Sequence, residues 1–252
     1  MLVDYFLFAI NSITHRKLRS WLTIIGIVIG VAAIISLITL SRGLENTIKE
    51  QFEQFGANRI LISSKGFQGP GTLSEGLTTK DVETIEKISG FKYVIGALFR
   101  QTEIKHNKET GFALVGAIPA KNYEEFIKDS GIDVMEGRII KDGDKGVAVI
   151  GARAARDMFS KELRLGTKIE IKKKEFKVIG IWEETGDANT DNRISIALED
   201  AREIFNEPEK VDTIIAQVKS ANDIPLLQKR IEHDLERKRG DTNFQVLTAT
   251  QI

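Results

Sequence analysis

Three histidines, His15, His106 and His233, and not a single cysteine make up the reactive inventory of this 252-residue chain. A nucleophilic site needs a hydroxyl or thiol beside an imidazole that a carboxylate orients. His15 lies in the basic run His15-Arg16-Lys17-Leu18-Arg19, His106 precedes Asn107-Lys108-Glu109, and His233 sits on a charged helical face. None neighbours such a set in sequence, so all three read as solvated imidazoles, although groups from distant segments can still converge in space. The absence of cysteine removes disulfides and thiolate metal sites. Asp187, Asn189, Asp191 and Asn192 superficially resemble a calcium loop, but the glycine at position six and the glutamate at position twelve are missing, and the segment reads as an exposed turn. The glycine-rich stretch Gly66 to Gly71 lacks the Lys-Ser/Thr end that a phosphate-binding loop needs. Arg237-Lys238-Arg239 is balanced by Glu232, Asp234, Glu236 and Asp241, which describes a solvated helix end. The residues therefore point to no catalytic, cofactor-binding or metal site, and the chain is not expected to be an enzyme.

The elements that would have to position any function start with a membrane segment. From Ser20 to Ser41 no side chain ionises, and Ile, Val, Leu and Ala dominate. As a helix these residues reach about 33 Å, against a hydrocarbon core of about 30 Å. A signal peptide would be shorter in its apolar run and would end in a small-x-small site, and a soluble core helix would keep a polar face. Arg16, Lys17 and Arg19 precede the span, whereas Arg42 and Lys49 after it alternate with Glu45 and Glu50, so the basic side anchors the amino terminus in the cytoplasm. The bulk of the chain then lies on the extracytoplasmic face of the cell membrane. Within the span, Gly26-x-x-x-Gly30 offers a surface for close packing of another membrane helix. Ahead of it, residues 1–17 carry Leu2, Phe6, Ala9, Ile10 and Ile13 at helical spacing, as in an interfacial amphipathic helix. Behind it, Leu44, Ile48, Phe52 and Phe55 carry the helix to Gly56, giving a span with extension over 18–56.

The remainder alternates short strands and helices, an α+β arrangement with mixed pairing. Arg59 to Ser63 reads as a strand, and Thr78-x-x-Asp81 as a capping box opening a helix. Tyr93 to His106 and Thr110 to Ile118 form a hairpin, as do Lys168 to Ile171 and Glu175 to Trp182. Helices follow at Tyr123 to Ile127, Glu199 to Phe205 and Ile224 to Leu235, with a last strand at Phe244 to Leu247. Gly66 to Thr72 reads as a mobile loop. Residues 132–198 are expected to form a small β-rich subdomain inserted between 57–131 and 199–248, which form an α/β domain. Without residues 1–42 the chain keeps 32 basic and 35 acidic residues, a balance that gives no attraction to nucleic acid.

Several motifs together resemble the front part of a macrolide-exporter-type (MacB/FtsX-like) ABC transporter permease. The most specific is Lys17-Leu18-Arg19-Ser20-Trp21-Leu22-Thr23-Ile24-Ile25-Gly26-Ile27-Val28-Ile29-Gly30-Val31, similar to that family's first-span block. Phe55-Gly56-Ala57-Asn58, Leu77-Thr78-x-x-Asp81, Gly137-Arg138, Val147 to Gly151, Gly166-Thr167, Phe176 to Ile181 and Asn243 to Val246 follow in the family's order. Ala197 stands where many members carry proline. The resemblance implies one N-terminal transmembrane helix followed by an extracytoplasmic mixed α/β porter-like domain with a small β-rich subdomain. It implies no catalytic residues and no cofactor of the chain's own. It implies as partners membrane lipid, a separate ATP-binding cassette subunit, a second permease copy or a C-terminal transmembrane half, and an extracytoplasmic adaptor or a peptide or lipoprotein substrate. Family permeases carry three further spans after the exterior domain, whereas this sequence stops at Ile252, so the expectation is a permease subunit or the N-terminal part of one. The alternative is a stand-alone membrane-anchored binding module without ATP coupling.

Overall fold

The computed structural model describes residues 17–54, 58–66 and 76–248, with side chains over 21–43, 58–66 and 76–248. Of the interfacial helix expected at residues 1–17, residues 1–16, with His15 and Arg16, lie outside the described residues, as does the loop expected beyond Gly66, and Lys17 is the first residue of a long helix. The chain divides into two compact units, Met1–Gln51 and Phe52–Ile252.

The first unit is carried by one helix, α1 (Lys17–Gln54), of 38 residues. No proline interrupts it, and its apolar part, Trp21–Gly43, is 23 residues long, enough to cross a membrane. Its side chains are exposed throughout the described part, the pattern of a helix whose solvent is lipid. The helix continues past this stretch for three turns, as the spacing of Leu44, Ile48 and Phe52 requires.

The second unit is a mixed α/β domain. In chain order its elements are β1 (Arg59–Ser64), β2 (Leu77–Thr78), α2 (Thr79–Glu86), β3 (Phe91–His106), β4 (Glu109–Ile118), α3 (Tyr123–Ser130), β5 (Val134–Gly137), β6 (Val147–Ile150), α4 (Ala152–Asp157), β7 (Lys168–Ile171), β8 (Lys174–Trp182), α5 (Ala188–Asp191), β9 (Arg193–Ala197), α6 (Leu198–Phe205), β10 (Lys210–Val211), β11 (Thr213–Val218), α7 (Ile224–Arg239) and β12 (Phe244–Thr248).

One strand, β3, serves two sheets in turn. Its first half, Phe91 to Ala97, pairs antiparallel with β11, and β1 and β12 extend that sheet in the order β12-β1-β11-β3. Alternation along these strands separates two faces. Ile60, Ile62, Val94 and Ile214 pack beneath α2 and α7 through Ile85, Leu227, Ile231 and Leu235. Leu61, Tyr93, Ile95 and Ile215 face the other way and pack with α3. The first turn of α2 is closed as its sequence implies: the Thr78 N–H donates to Asp81 Oδ2 at 2.8 Å, and Arg239 at the end of α7 reaches the same oxygen at 2.8 Å.

From Leu98 onward β3 leaves β11 and pairs with β4. The pairing then runs parallel from β4 to β9, antiparallel to β6, parallel to β8, antiparallel to β7, and back to β3 through Ile104 and Ile171. Six strands thus close on themselves, an arrangement that leaves no open edge among them. Inside lie Leu98, Ile104, Val115, Ile150, Ile169, Phe176 and Ile194, and α4 and α6 add Ala155 and Ala201. Each large side chain sequestered there contributes roughly 1.5–3 kcal/mol. The β7–β8 turn is tight, with Lys172 and Lys173 both left-handed at φ of 50° and 68°, the twist that two-residue hairpins favour.

One sequence expectation is corrected here. The segment around Asp187 and Asp191 is a short helix with a buried carboxylate, not an exposed turn. Asp187 accepts from the N–H groups of Asn189 and Thr190, and Asp191, with no exposure, accepts from Thr185 N and Oγ1 and from Gly186 N. Burial follows from these three donors, which the loop backbone would otherwise leave unpaired.

Candidate functional site

The place where β3 passes from one sheet to the other gathers the most unusual polar chemistry of the domain. Asp212, in the step between β10 and β11, is fully buried. Its Oδ2 accepts from the Phe99 N–H at 2.8 Å and from Arg100 Nη1 at 2.6 Å. Arg100 Nη2 also binds Glu207, beyond the end of α6. The carboxylate therefore takes up the backbone donor that β11 no longer satisfies and ties the joint to α6. Burial pushes the Asp212 carboxyl above its ordinary value, and the Phe99 N–H and Arg100 pull only partly against it. Asp212 Oδ1 and Arg100 Nε have no partner among the described residues.

A second cationic knot sits at the start of β1. Arg59, 3% exposed, donates from Nε to Gln217 Oε1 at 2.8 Å and from Nη2 to the Tyr93 hydroxyl, Ser130 Oγ and the Phe126 carbonyl at 3.1, 3.1 and 3.3 Å. Its guanidinium also lies 4.8 Å from the centre of the Phe126 ring. Burial raises the Tyr93 phenol to about 12, with Arg59 opposing. One side chain thus joins β1, β3, β11 and α3.

Between the four-stranded sheet and the outside of the six-stranded ring lies a cleft of about 50 Å³, measured as space open to the centre of a water, with Phe99, Phe126, Ile127, Trp182, Arg193 and Ile215 in its wall. Arg193 and Ser195 project from the same side of β9. Burial holds the Arg193 guanidinium below its ordinary value, and its Nη2 donates to Thr190 Oγ1 at 3.0 Å.

The residues singled out from sequence behave differently. Gly26 and Gly30 lie in α1, and nothing outside the helix's own backbone comes within 4 Å of where a Cβ would stand on either. Lys17 and Arg19 lie in the first turn of α1, ahead of the apolar stretch. His106 places Nδ1 2.8 Å from the Lys168 carbonyl, and His233 is exposed on α7. Arg239 pairs with Asp81 and Asp241, and Arg237 with Asp234. Among the described residues no three His, Asp or Glu side chains gather as a metal site. Sequence reasoning missed Arg59, Arg100, Arg193 and Asp212. The available signal was a charged residue at the head or middle of an apolar strand, as in Arg59-Ile60-Leu61-Ile62 and Arg193-Ile194-Ser195-Ile196.

The profile of the MacB-like periplasmic core domain matches residues 20–234. The chain belongs to this family of ABC transporter permeases. An uncharacterized ABC transporter permease of Methanocaldococcus jannaschii is 37% identical over 251 residues, covering 99% of this chain and 62% of the relative. The macrolide export ATP-binding/permease protein MacB of Bdellovibrio bacteriovorus is 30% identical over 243 residues, covering 91% of this chain and 36% of that one. The chain thus spans less than two thirds of either relative. The fold agrees with the periplasmic region of MacB from Actinobacillus actinomycetemcomitans, at a TM-score of 0.66 and 16% identity over 80% of this chain and 93% of that one. It agrees also with the extracellular domain of the noncanonical ABC-type transporter YknZ from Gram-positive bacteria, at a TM-score of 0.61, 18% identity, and coverage of 76% and 100%. The MacB-like chain therefore carries the core domain of an ABC permease, a mixed α/β fold preceded by one N-terminal helix long and apolar enough to cross a membrane.

Proposed function

We propose that this chain is a permease subunit, or the N-terminal part of one, in which ATP hydrolysis by a separate cytoplasmic subunit drives movement of the α/β domain for export or mechanotransmission. The amino terminus is cytoplasmic, held by Arg16, Lys17 and Arg19, and the α/β domain lies outside. The observation that carries the reading is the pairing of β1 with β12. These strands are antiparallel neighbours, and Ile60 at the start of β1 lies against Thr248 at the end of β12. The chain arrives from α1 at the same end of the sheet from which β12 departs. A domain attached through two adjacent strands is moved as a lever when its attachments shift.

The moving units follow the division into 57–131 with 199–248 and 132–198, with β3 running through both sheets and β4 belonging to the ring, which closes only through these two strands. Gly26 and Gly30 supply the face on which a further membrane helix packs, from a second copy or a C-terminal transmembrane half. The exterior surface acts on an adaptor or on a peptide or lipoprotein substrate.

The test is purification of the chain from its native membranes in mild detergent, with ATPase assay of the eluate. Co-purification of a nucleotide-binding subunit and of spans absent from this chain, with ATPase activity, is the expected result. Recovery of the chain alone, without ATPase, refutes the proposal and leaves an anchored binding module.

A further inference from the structure

The cleft beside Arg193 has free polar groups of one kind. The Tyr123 hydroxyl in its wall donates to the Ile196 carbonyl at 2.6 Å. Trp182 Nε1 donates to Ser195 Oγ at 3.3 Å, and the Thr190 hydroxyl donates to Asp187 at 2.7 Å. Two donors are left. The Ser195 oxygen already accepts from Trp182, so its own O–H is available to donate. Arg193 spends one N–H on Thr190, and among the described residues no carboxylate stands within 4.0 Å of its guanidinium, unlike Arg100 and Arg239. Arg59, also without a carboxylate within 4.0 Å among the described residues, lies outside this cleft and commits Nε and Nη2 to four oxygen acceptors. A guanidinium that shares this wall with Phe99 and Trp182, and whose charge burial disfavours, gains most from an anion, and most of all from a planar carboxylate that matches its fork.

The floor beneath it is kept clear by a glycine. Gly116 lies in β4 between Phe99 and Ser195. A Cβ there would stand 2.9 Å from Arg193 Cδ and 3.3 Å from Phe99 Cε1, so a side chain at this position would fill the space under the guanidinium. The rest of the wall is apolar. About 50 Å³ open to water centres admits a carboxylate and the first carbons behind it, since one water needs about 10–15 Å³ on that measure, and the rest of a longer acid extends out of the cleft mouth.

We infer that this cleft is a binding site for a carboxylic acid with a short apolar body, its carboxylate on Arg193 and Ser195 and its hydrocarbon on Phe99, Phe126, Ile127 and Trp182. Two sources share this chemistry, an acyl chain ending in a free carboxylate and the C-terminal residue of a peptide. The site stands on the wall of the cleft alone and does not depend on the permease reading.

The chain has two tryptophans, so Trp21→Phe leaves Trp182 as the reporter. The full chain in nanodiscs of zwitterionic lipid is titrated with octanoate, N-acetyl-leucine and octanol, following Trp182 emission. A saturable response to at least one of the two acids is expected, and octanol, which lacks the charge, gives none. The better acid identifies the source. Arg193→Met, which keeps the length of the side chain and removes its charge, weakens the better acid at least tenfold, and Arg193→Lys retains part of the affinity. Gly116→Ala weakens it with the cation in place, and an unchanged melting temperature shows that each variant is folded. No saturable response to either acid overturns the inference, as does equal affinity in Arg193→Met or binding of octanol as tight as that of the acids.

Discussion

Replacing Arg100 by Met tests whether the joint of β3 depends on a compensated buried charge. Arg100 and Asp212 meet at 2.6 Å, with side-chain exposures of 9% and 0%. Methionine fills much the same volume and leaves the Asp212 carboxylate with one backbone donor. Removing one partner of a buried pair destabilises by about 3–5 kcal/mol, because the remaining charge is uncompensated. For a domain near 200 residues that corresponds to a melting temperature lower by about 6–20 °C. The pH dependence carries the sign. Burial already raises the Asp212 carboxyl, and loss of the cation raises it further. A carboxyl that is raised in the folded state contributes its full stability below the unfolded value of about 3.9, and the contribution is lost as pH rises through the folded value. The Arg100→Met protein should therefore recover as pH is lowered from 8 to 5, while the wild type changes less. The charge-free pair Arg100→Met with Asp212→Asn, whose amide oxygen still accepts from the Phe99 N–H, should regain most of the lost stability, since no uncompensated buried charge remains. The measurement is thermal unfolding of the full chain in mild detergent, followed by Trp182 emission in the Trp21→Phe background. A melting temperature for Arg100→Met within 2 °C of wild type, or a loss that does not vary with pH, would refute the argument.

Three further outcomes are expected. Arg59→Met, which strands the Tyr93 hydroxyl, Gln217 and Ser130 together, should lower stability by about 2–4 kcal/mol in the same unfolding assay, and loss of less than 1 kcal/mol would show that the knot is dispensable. Insertion of Gly-Gly after Glu50 should break the helical connection of α1 to β1 and reduce the ATPase activity of the purified assembly, with membrane insertion unchanged; full activity would count against a rigid connection. Gly30→Leu should reduce recovery of partner spans in mild-detergent purification, and unchanged recovery would remove Gly26 and Gly30 as a packing face.

Much of the fold could be read directly because its causes are local. The run from Trp21 to Leu40 has no charge to interrupt it and no polar face, so the apolar stretch of α1 follows from composition alone. The Asn107-Lys108 turn, the Thr78 cap and the apolar positions of α7 are likewise set by neighbours a few residues apart. The joint was hidden for the opposite reason. β3 reads as one 16-residue strand, and nothing in its sequence says that its partner changes at Leu98. That change depends on β11 and β4, which lie on either side of it in space and far apart in the chain. Asp212 likewise gives no local sign of pairing with Arg100, 112 residues earlier. Asp191 was misread because its donors, Thr185 and Gly186, become visible only once the loop folds back. Arg193 looks like an ordinary solvated cation in sequence, since the cleft it lines with Phe99 and Trp182 forms only when distant strands come together.

A lever needs a stiff part and a joint, and the domain separates the two. The stiff part is the sheet of β12, β1, β11 and the first half of β3, cross-tied by Arg59 and backed by α2 and α7. The joint is the passage of β3 between sheets, where two sheets share one strand and the polar groups are held by Asp212. Packed cores move between discrete arrangements more readily than they deform, so under the proposed lever action a change transmitted through β1 and β12 would be taken up at this passage before either core is disturbed. The Arg193 cleft lies on that line, with Ile215 from the sheet on one side and Phe99, Trp182 and Arg193 from the ring on the other. An occupant touching both sides would bind one arrangement better than the other whenever the cleft changes width, and by the same free energy its presence would favour that arrangement. A bound acid would then bias the proposed lever from within the α/β domain.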